Sequence, residues 1–327
     1  MADQKNNLIN YADKIYVAGH KGMVGSAIIR SLIKKGYKNI LFAEKNQVNL
    51  KNKIEVENWF REFKPDVVII AAAKVGGIHA NNNYPVDFLL SNMQIQNNLI
   101  ETSWKNNIKR LLFLGSSCIY PKFANQPIKE ESLLTGQLEE TNQWYAIAKI
   151  SGIKLCAALK KQYNFDSISL MPTNLYGPGD NFHKINSHVL PGLIRRFHDS
   201  KSTNAKEIIC WGTGQPLREF LYVDDLGDAC VYALEKWKPK EGEIQHLNVG
   251  SGKDISIKEV ANLISKICDF KGEILWDKSK PDGTPRKLLD VSKLNSLGWA
   301  SQTSLSDGIE KTYRWFNENL DSRNLRI

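Results

Sequence analysis

Short apolar runs alternating with helix-period segments dominate the first half of the chain. "KIYVAG" precedes "GSAIIRSLIKKGY", "NILFA" precedes "NKIEVENWFREF", and "DVVIIAAA" precedes "DFLLSNMQIQNNLIETSWKNN". "IKRLLFLGSS" then leads to "YAIAKISGIKLCAALKKQY", and "SISLMPTNLYG" closes the series. Each run is nearly continuous rather than alternating, so both faces of the strand are covered, as in a parallel sheet. Right-handed crossovers through the helices give a doubly wound parallel-sheet α/β fold. After "YGPGD" (176–180) Gly, Pro, Asn and His accumulate and the loops lengthen. Residues 1–178 are therefore expected to form a nucleotide-binding Rossmann unit to which segments at about 220–250 return. Residues 179–327 are expected to form mainly a smaller C-terminal α/β substrate-binding domain. Within it "HLNVGSGKDISIKEVANLISKI" reads as strand, turn and helix, and "KPDGTPRKLLD" as a loop.

The composition, 42% hydrophobic and 24% charged over 327 residues, is that of an ordinary globular protein. No apolar stretch approaches the roughly 20 residues that cross a bilayer. "MADQKNNLINYADK" has no apolar signal-peptide core, so the expectation is a cytoplasmic chain with no membrane partner. The five cysteines (118, 156, 210, 230 and 268) contain no CxxC pair. That argues for reduced thiols and against a disulfide framework or a metal site. The net charge of +9 comes from lysines scattered beside acids, as in "KEESLL" and "KPKEGE". No basic block interleaves with aromatics, so nucleic acid is not expected; an anionic small molecule suits the charge better.

"VAGHKGMVGSA" spaces Gly19, Gly22 and Gly25 as GxxGxxG, after an apolar strand and at the start of a helix. Such a loop lets the backbone approach a pyrophosphate, which the free N–H groups of the helix N-terminus then bind. The end of the second strand distinguishes NAD from NADP: an acid accepts from the ribose 2′-OH, a base accommodates a 2′-phosphate. Here "FAEKN" puts Glu44 beside Lys45, a conflict that the sequence leaves open, as it leaves open whether either side chain simply faces solvent.

"WYAIAKI" places Tyr145 and Lys149 four apart on one helix face. A nearby ammonium is expected to bring the phenol down from about 10, making Tyr145 a proton donor to a carbonyl oxygen as hydride arrives at carbon. Ser116, at the end of an upstream strand, is placed to bond the same oxygen. Cys118 follows two residues later, and an extended backbone would turn both side chains the same way. A free thiol titrates at about 8.5, close enough to neutral for acid–base work, but a buried structural cysteine is an equal reading from position alone.

Together "AGHKGMVGSA", "AAAKVGGIHANN", "LFLGSSCIYPK", "YAIAKI", "MPTNLYGPGDNFH", "NSHV", "REFL" and "SKPDGTPRKLLD" resemble the extended short-chain dehydrogenase/reductases acting on nucleotide sugars. The match is closest to the GDP-L-fucose synthases, from about residue 14 to beyond 315, with residues 1–13 outside it. The resemblance implies a GDP-4-keto-6-deoxy-D-mannose substrate, epimerised at C3 and C5 and then reduced at C4 by NADPH. It implies Tyr145, Lys149 and Ser116 for the reduction, with Cys118 as base and His188 as opposing acid. The implied coenzyme (NADP) contacts are Gly19, His20, Lys21, Gly22, Met23, Val24, Gly25, Lys45, Asn49 and Leu50. They continue through Leu114, Gly115, Ser116, Ser117, Lys149, Pro172, Thr173, Asn174, Leu175 and His188. Substrate contacts are implied for Ser117, Asn174, Arg196, Trp211, Arg218, Asp282 and Lys287, although Trp211 also reads as a plain core aromatic. Arg195 adds a cation beside Arg196. Cys156 reads as core, the other three cysteines carry no assigned chemistry, and His20, His79, His183, His198 and His246 read by themselves as surface or satisfied histidines. "VDD" (223–225) reads as a helix start rather than a metal site. The long helices at about 87–107 and 143–163 would form a four-helix homodimer interface. Three rival readings remain. A related 4,6-dehydratase would want an acidic pair where Ser117-Cys118 stand. A plain 4-ketoreductase would reduce without epimerising, and a Rossmann binding protein would have no catalysis at all.

Overall fold

The computed structural model describes residues 7–322 except 185, 241 and 281, together with 325 and 326; the side chains of Ile78 and His79 lie outside the described set. The chain runs β1 (Ile15–Ala18), α1 (Met23–Lys34), β2 (Ile40–Leu41), α2 (Lys53–Phe63), β3 (Val67–Ile70), α3 (Ile78–Asn83), α4 (Pro85–Lys105) and β4 (Arg110–Leu114). It continues through α5 (Gln143–Tyr163), β5 (Ser167–Pro172), β6 (Asn174–Tyr176), α6 (Val189–Ser202), β7 (Glu207–Trp211), β8 (Leu217–Tyr222) and α7 (Val223–Lys236). Last come β9 (His246–Val249), β10 (Asp254–Ser256), α8 (Ile257–Cys268), β11 (Glu273–Asp277), β12 (Arg286–Lys287), α9 (Ser292–Ser296) and α10 (Leu305–Glu318).

Six parallel strands form one sheet in the order β2-β1-β3-β4-β5-β9. Every residue of β1, β3, β4, β5 and β9 is buried, the physical meaning of their continuous apolar sequences. Ile28, Leu32, Leu226 and Leu234 of α1 and α7 cover one face. Trp59, Phe60, Leu99, Ile100, Ile153 and Leu159 of α2, α4 and α5 cover the other. The strand order reverses at β1, so the C-terminal ends of β1 and β3 open the crevice in which such sheets bind ligands. Caps mark several helix starts: Asn52 accepts from the Ile54 and Glu55 N–H groups ahead of α2, and Ser256 and Glu259 form a reciprocal capping box on α8.

A third core, built around Phe182, Phe197, Phe220, Ile264 and Phe316, lies within the segments after β6. There β8 pairs with β6, β10 and β12, and β7 pairs with β11. Two segments differ from the sequence reading. The "KDIS" stretch adds β10 antiparallel to β8, and the loop at 280–290 contains β12, whose Lys287 lies in register with Arg218. Of residues 1–13, the first six lie outside the described set, and Ile9 is buried in the core beneath α1 and α7.

Candidate active site

At the C-terminal end of β4 the chain leaves the sheet through Gly115. Ser116 is still extended (φ −164°, ψ 152°), but its side chain caps a 3₁₀ turn over Ser117–Ile119, accepting the Cys118 N–H at 3.2 Å. Cys118 is thus aimed by a capped turn, not by the two-residue alternation of an extended strand. Its side chain is partly exposed, whereas the other four cysteines are buried. Asn142 Nδ2 lies 3.5 Å from Cys118 Sγ and Lys287 Nζ 3.8 Å from it. Sequence reasoning does not single out Asn142; the one available signal is its place just before α5, three residues from Tyr145.

The first turns of α5 bring Tyr145 and Lys149 under the same strand end. Lys149 Nζ donates to the Leu114 carbonyl at 2.8 Å and lies 5.8 Å from the Tyr145 ring centre. Burial pushes the ammonium down to about 7. The sequence expectation that Lys149 lowers the phenol is not the balance observed. Burial, then the neighbouring Cys118, push the Tyr145 phenol up, and only its hydrogen bond with Ser116 pulls it back. Tyr145 therefore holds its proton at neutral pH, as a donor must.

His188 is the N-cap of α6. The loop before it is pinned to the segment after β3, where the Gly77 N–H donates to the Asn186 carbonyl at 3.4 Å. His188 is exposed, yet the surrounding protein desolvates its imidazole enough to lower its affinity for a proton. Asn174 Nδ2 donates to the Glu219 carbonyl at 2.8 Å, and Thr173 Oγ1 to the same oxygen at 3.4 Å. Glu219 is a further residue that sequence reasoning misses. Its fully buried carboxylate accepts the Gly252 N–H at 2.7 Å and the Leu289 N–H at 3.0 Å, fixing the strand that carries Lys287.

The expected phosphate and base contacts lie on α6, β7 and β8. Trp211 is 65% exposed, which removes the reading of a core aromatic. The Arg196 guanidinium lies 5.8 Å from its ring centre. Arg195 is engaged with Asp199 at 2.9 Å. Asp282 is taken up by the loop after β7, accepting from the Thr213 N–H at 2.9 Å and Oγ1 at 2.6 Å, and so braces the loop beside Arg218. Ser117 is buried. Asp225 receives the Thr303 N–H at 2.9 Å and Oγ1 at 2.8 Å at the start of α7, a structural use of "VDD". His246 and His198 meet the Glu130 carbonyl and the Tyr313 hydroxyl.

The glycine loop fits a dinucleotide. Gly19 has φ +91°, and a Cβ there would lie 2.7 Å from Ala72 N; one on Gly25 would lie 2.1 Å from the Gly19 oxygen. Backbone therefore crosses backbone with no room for side chains. Gly22, the N-cap of α1, offers no side-chain cap, leaving first-turn N–H groups for a phosphate. Beside the loop, His20 stacks on Phe42 with ring centres 4.9 Å apart. Asn49 and Leu50 are half-buried just beyond. A separate cleft of about 810 Å³, lined by Lys160, Lys161, Lys238 and Lys240, opens at the opposite, N-terminal edge of the sheet and holds none of these residues.

The NAD dependent epimerase/dehydratase family matches residues 15–250. The chain belongs to this family. Its relatives in the family include "Putative GDP-L-fucose synthase 2" of Arabidopsis thaliana, 56% identical over 313 residues, 96% of this chain and 94% of that one. "GDP-L-fucose synthase 1" of the same plant is 53% identical over 323 residues, 99% of both chains, so the likeness reaches into residues 1–13, which the motifs leave outside. Among solved structures, a GDP-L-fucose synthetase from Naegleria fowleri bound to NADP superposes with a TM-score of 0.87 at 27% identity, covering 98% of each chain. Membership makes the chain a nicotinamide-dependent enzyme of the extended short-chain dehydrogenase/reductase type, with the Rossmann sheet described above. Among the described residues, no helix is long and apolar enough to cross a membrane.

Proposed function

We propose that the chain converts GDP-4-keto-6-deoxy-D-mannose to GDP-L-fucose, inverting C3 and C5 and then reducing the C4 ketone with NADPH. The observation that carries this reading is the partly exposed Cys118 thiol beside Ser116 and Tyr145, with the Lys287 ammonium next to it. A reductase alone has no use for a thiol there, and a dehydratase would want acids.

In this reading the sheet unit holds the coenzyme, and the unit after β6 holds the GDP-sugar. Arg196 and Arg218 take the diphosphate, whose oxygens suit planar guanidinium groups, and Trp211 takes the guanine or ribose. The hydroxyls of Ser116 and Tyr145 hold the C4 oxygen. The ketone acidifies the hydrogens on C3 and C5. As its thiolate, Cys118 accepts a proton from carbon, and the C–H electron pair moves onto the C4 oxygen as an enolate, which the two hydroxyls stabilise; between the two inversions, proton exchange with solvent returns the sulfur and the imidazole to their starting states. His188 returns a proton to the opposite face and the carbonyl re-forms. NADPH held at the glycine loop would supply the hydride for C4 after both inversions. Tyr145 gives its phenolic proton to the developing alkoxide, and Lys149 keeps the strand end and the phenol in place.

Two further parts of the reading concern assembly and setting. The chain is proposed to be a homodimer through α4 and α5, because Val86, Leu90 and Ile147 leave apolar surface exposed along them. Five unpaired thiols support a reducing, cytoplasmic setting.

Incubation with GDP-4-keto-6-deoxy-D-mannose and NADPH in deuterated water tests the reaction. GDP-L-fucose carrying deuterium at C3 and C5 is the expected product. A reduced sugar with C3 and C5 unchanged and undeuterated would make the chain a plain 4-reductase.

A further inference from the structure

The chemistry above does not use the ion pair at the mouth of the glycine loop. Lys21, between Gly19 and Gly22, reaches Glu44, which lies beyond β2, with Nζ 2.5 Å from the carboxylate. Glu44 is fixed there by its backbone. Its N–H donates to Gln47 Oε1 at 2.8 Å, and its carbonyl accepts the Gln47 and Val48 N–H groups at 2.9 and 3.0 Å. Val48 anchors that turn in the core. The stacked rings of His20 and Phe42 come from the same two segments. Lys45 is exposed and has no ion pair among the described residues.

This is the place where a Rossmann site meets the 2′ substituent of the adenosine ribose. A 2′-phosphate, bearing a charge of about −1.5 to −2, must draw Lys21 off Glu44 and then stand beside a carboxylate. A 2′-hydroxyl can donate to Glu44 while the Lys21–Glu44 pair stays intact. The two coenzymes therefore meet opposite terms from one side chain. We infer that Glu44 is the coenzyme-selecting residue, that it weakens NADPH and holds NADH, and that the site accepts both. The inference deepens the proposed function at its coenzyme and rests on its nicotinamide chemistry.

Dissociation constants of NADP⁺ and NAD⁺ for the substrate-free protein, measured by calorimetry, test it. The wild type is expected to bind NAD⁺ within about 30-fold of NADP⁺. Glu44→Gln keeps the shape and removes the charge; it should tighten NADP⁺ by about tenfold and weaken NAD⁺ by about tenfold. A ratio that moves less than about twofold in the variant would overturn the inference, as would a wild type preferring NADP⁺ by more than about 30-fold. That second result needs no variant to fold. A wild type that bound neither coenzyme would remove the underlying reading too, whereas tight NADP⁺ binding with an unmoved ratio removes this inference alone.

Discussion

Lys287 Nζ stands 3.8 Å from Cys118 Sγ across 169 positions of sequence. The lysine comes from β12, paired beside Arg218 on β8, and the cysteine from the turn after β4. The segments after β6 thus deliver a cation to the thiol of the sheet unit. In the proposed reaction an ammonium there would stabilise the negative charge of the enolate oxygen. Lys287→Met should slow deuterium exchange at C3 and C5 by about 10²-fold, with Lys287→Arg recovering part of it. NADP⁺ affinity, measured alongside, should not move. Equal exchange rates in Lys287→Met and wild type would make the contact incidental.

Cys118→Ser should separate the two halves of the reaction. The hydroxyl is too weak an acid to exchange protons at carbon, so deuterium incorporation should fall by about 10²–10⁴-fold. Reduction of the already epimerised ketone, followed by loss of NADPH absorbance, should continue near the wild-type rate. Loss of both activities together would mean that the sulfur serves the reduction as well.

How far the sequence reveals the molecule differs by residue. The buried strands stand out as unbroken apolar runs, because a strand covered on both faces has no polar side to encode. The glycine triplet and the Tyr145–Lys149 pair are legible because their geometry is local, set by one turn or one helical step. Asn142, Glu219 and the Lys21–Glu44 pair are not, since each acts through a partner from a distant segment. The titration of Tyr145 escapes for the same reason: helical spacing announces Lys149 but not the depth of burial, which sets the sign. Strands β10 and β12 read as loop because two or three residues carry no period; only pairing with β8 defines them.

Lys149 makes a prediction about pH. Its folded value is about 7 against an ordinary 10.5, with burial as the cause. Between these values the unfolded chain binds more protons, so stability of the coenzyme-free protein should rise with pH across that window. The penalty is fully present below about pH 7 and is at most about 5 kcal/mol. Lys149→Met removes the titration, although it leaves the Leu114 carbonyl unpaired. Urea midpoints at pH 6 and pH 9 should differ clearly in the wild type and much less in the variant. A wild type that lost stability on going to pH 9 would contradict the sign.

Gly25→Ala tests the backbone crossing. The new Cβ would lie 2.1 Å from the Gly19 oxygen, and backbone cannot yield as a flexible side chain can. The loop or α1 must shift, moving the first-turn N–H groups from the pyrophosphate position. Coenzyme affinity should fall by at least about 10²-fold, with thermal unfolding several degrees lower. Unchanged affinity for NADP⁺ and NAD⁺ would place the pyrophosphate elsewhere.

The exposed face of α4 carries the last prediction. Val86 and Leu90 are one helical turn apart, and Leu90 is 51% exposed; Ile147 on the packed neighbour α5 is also exposed. Apolar groups clustered on paired helices are costly to leave in water, and a second copy presenting the same face would cover them symmetrically. The wild type is expected to be a dimer in light scattering at micromolar concentration, and Leu90→Asp a monomer. Since Leu90 is far from the glycine loop in sequence and does not pack in the core, NADP⁺ affinity should remain within about twofold. A wild type already monomeric at that concentration would leave this face without its proposed occupant.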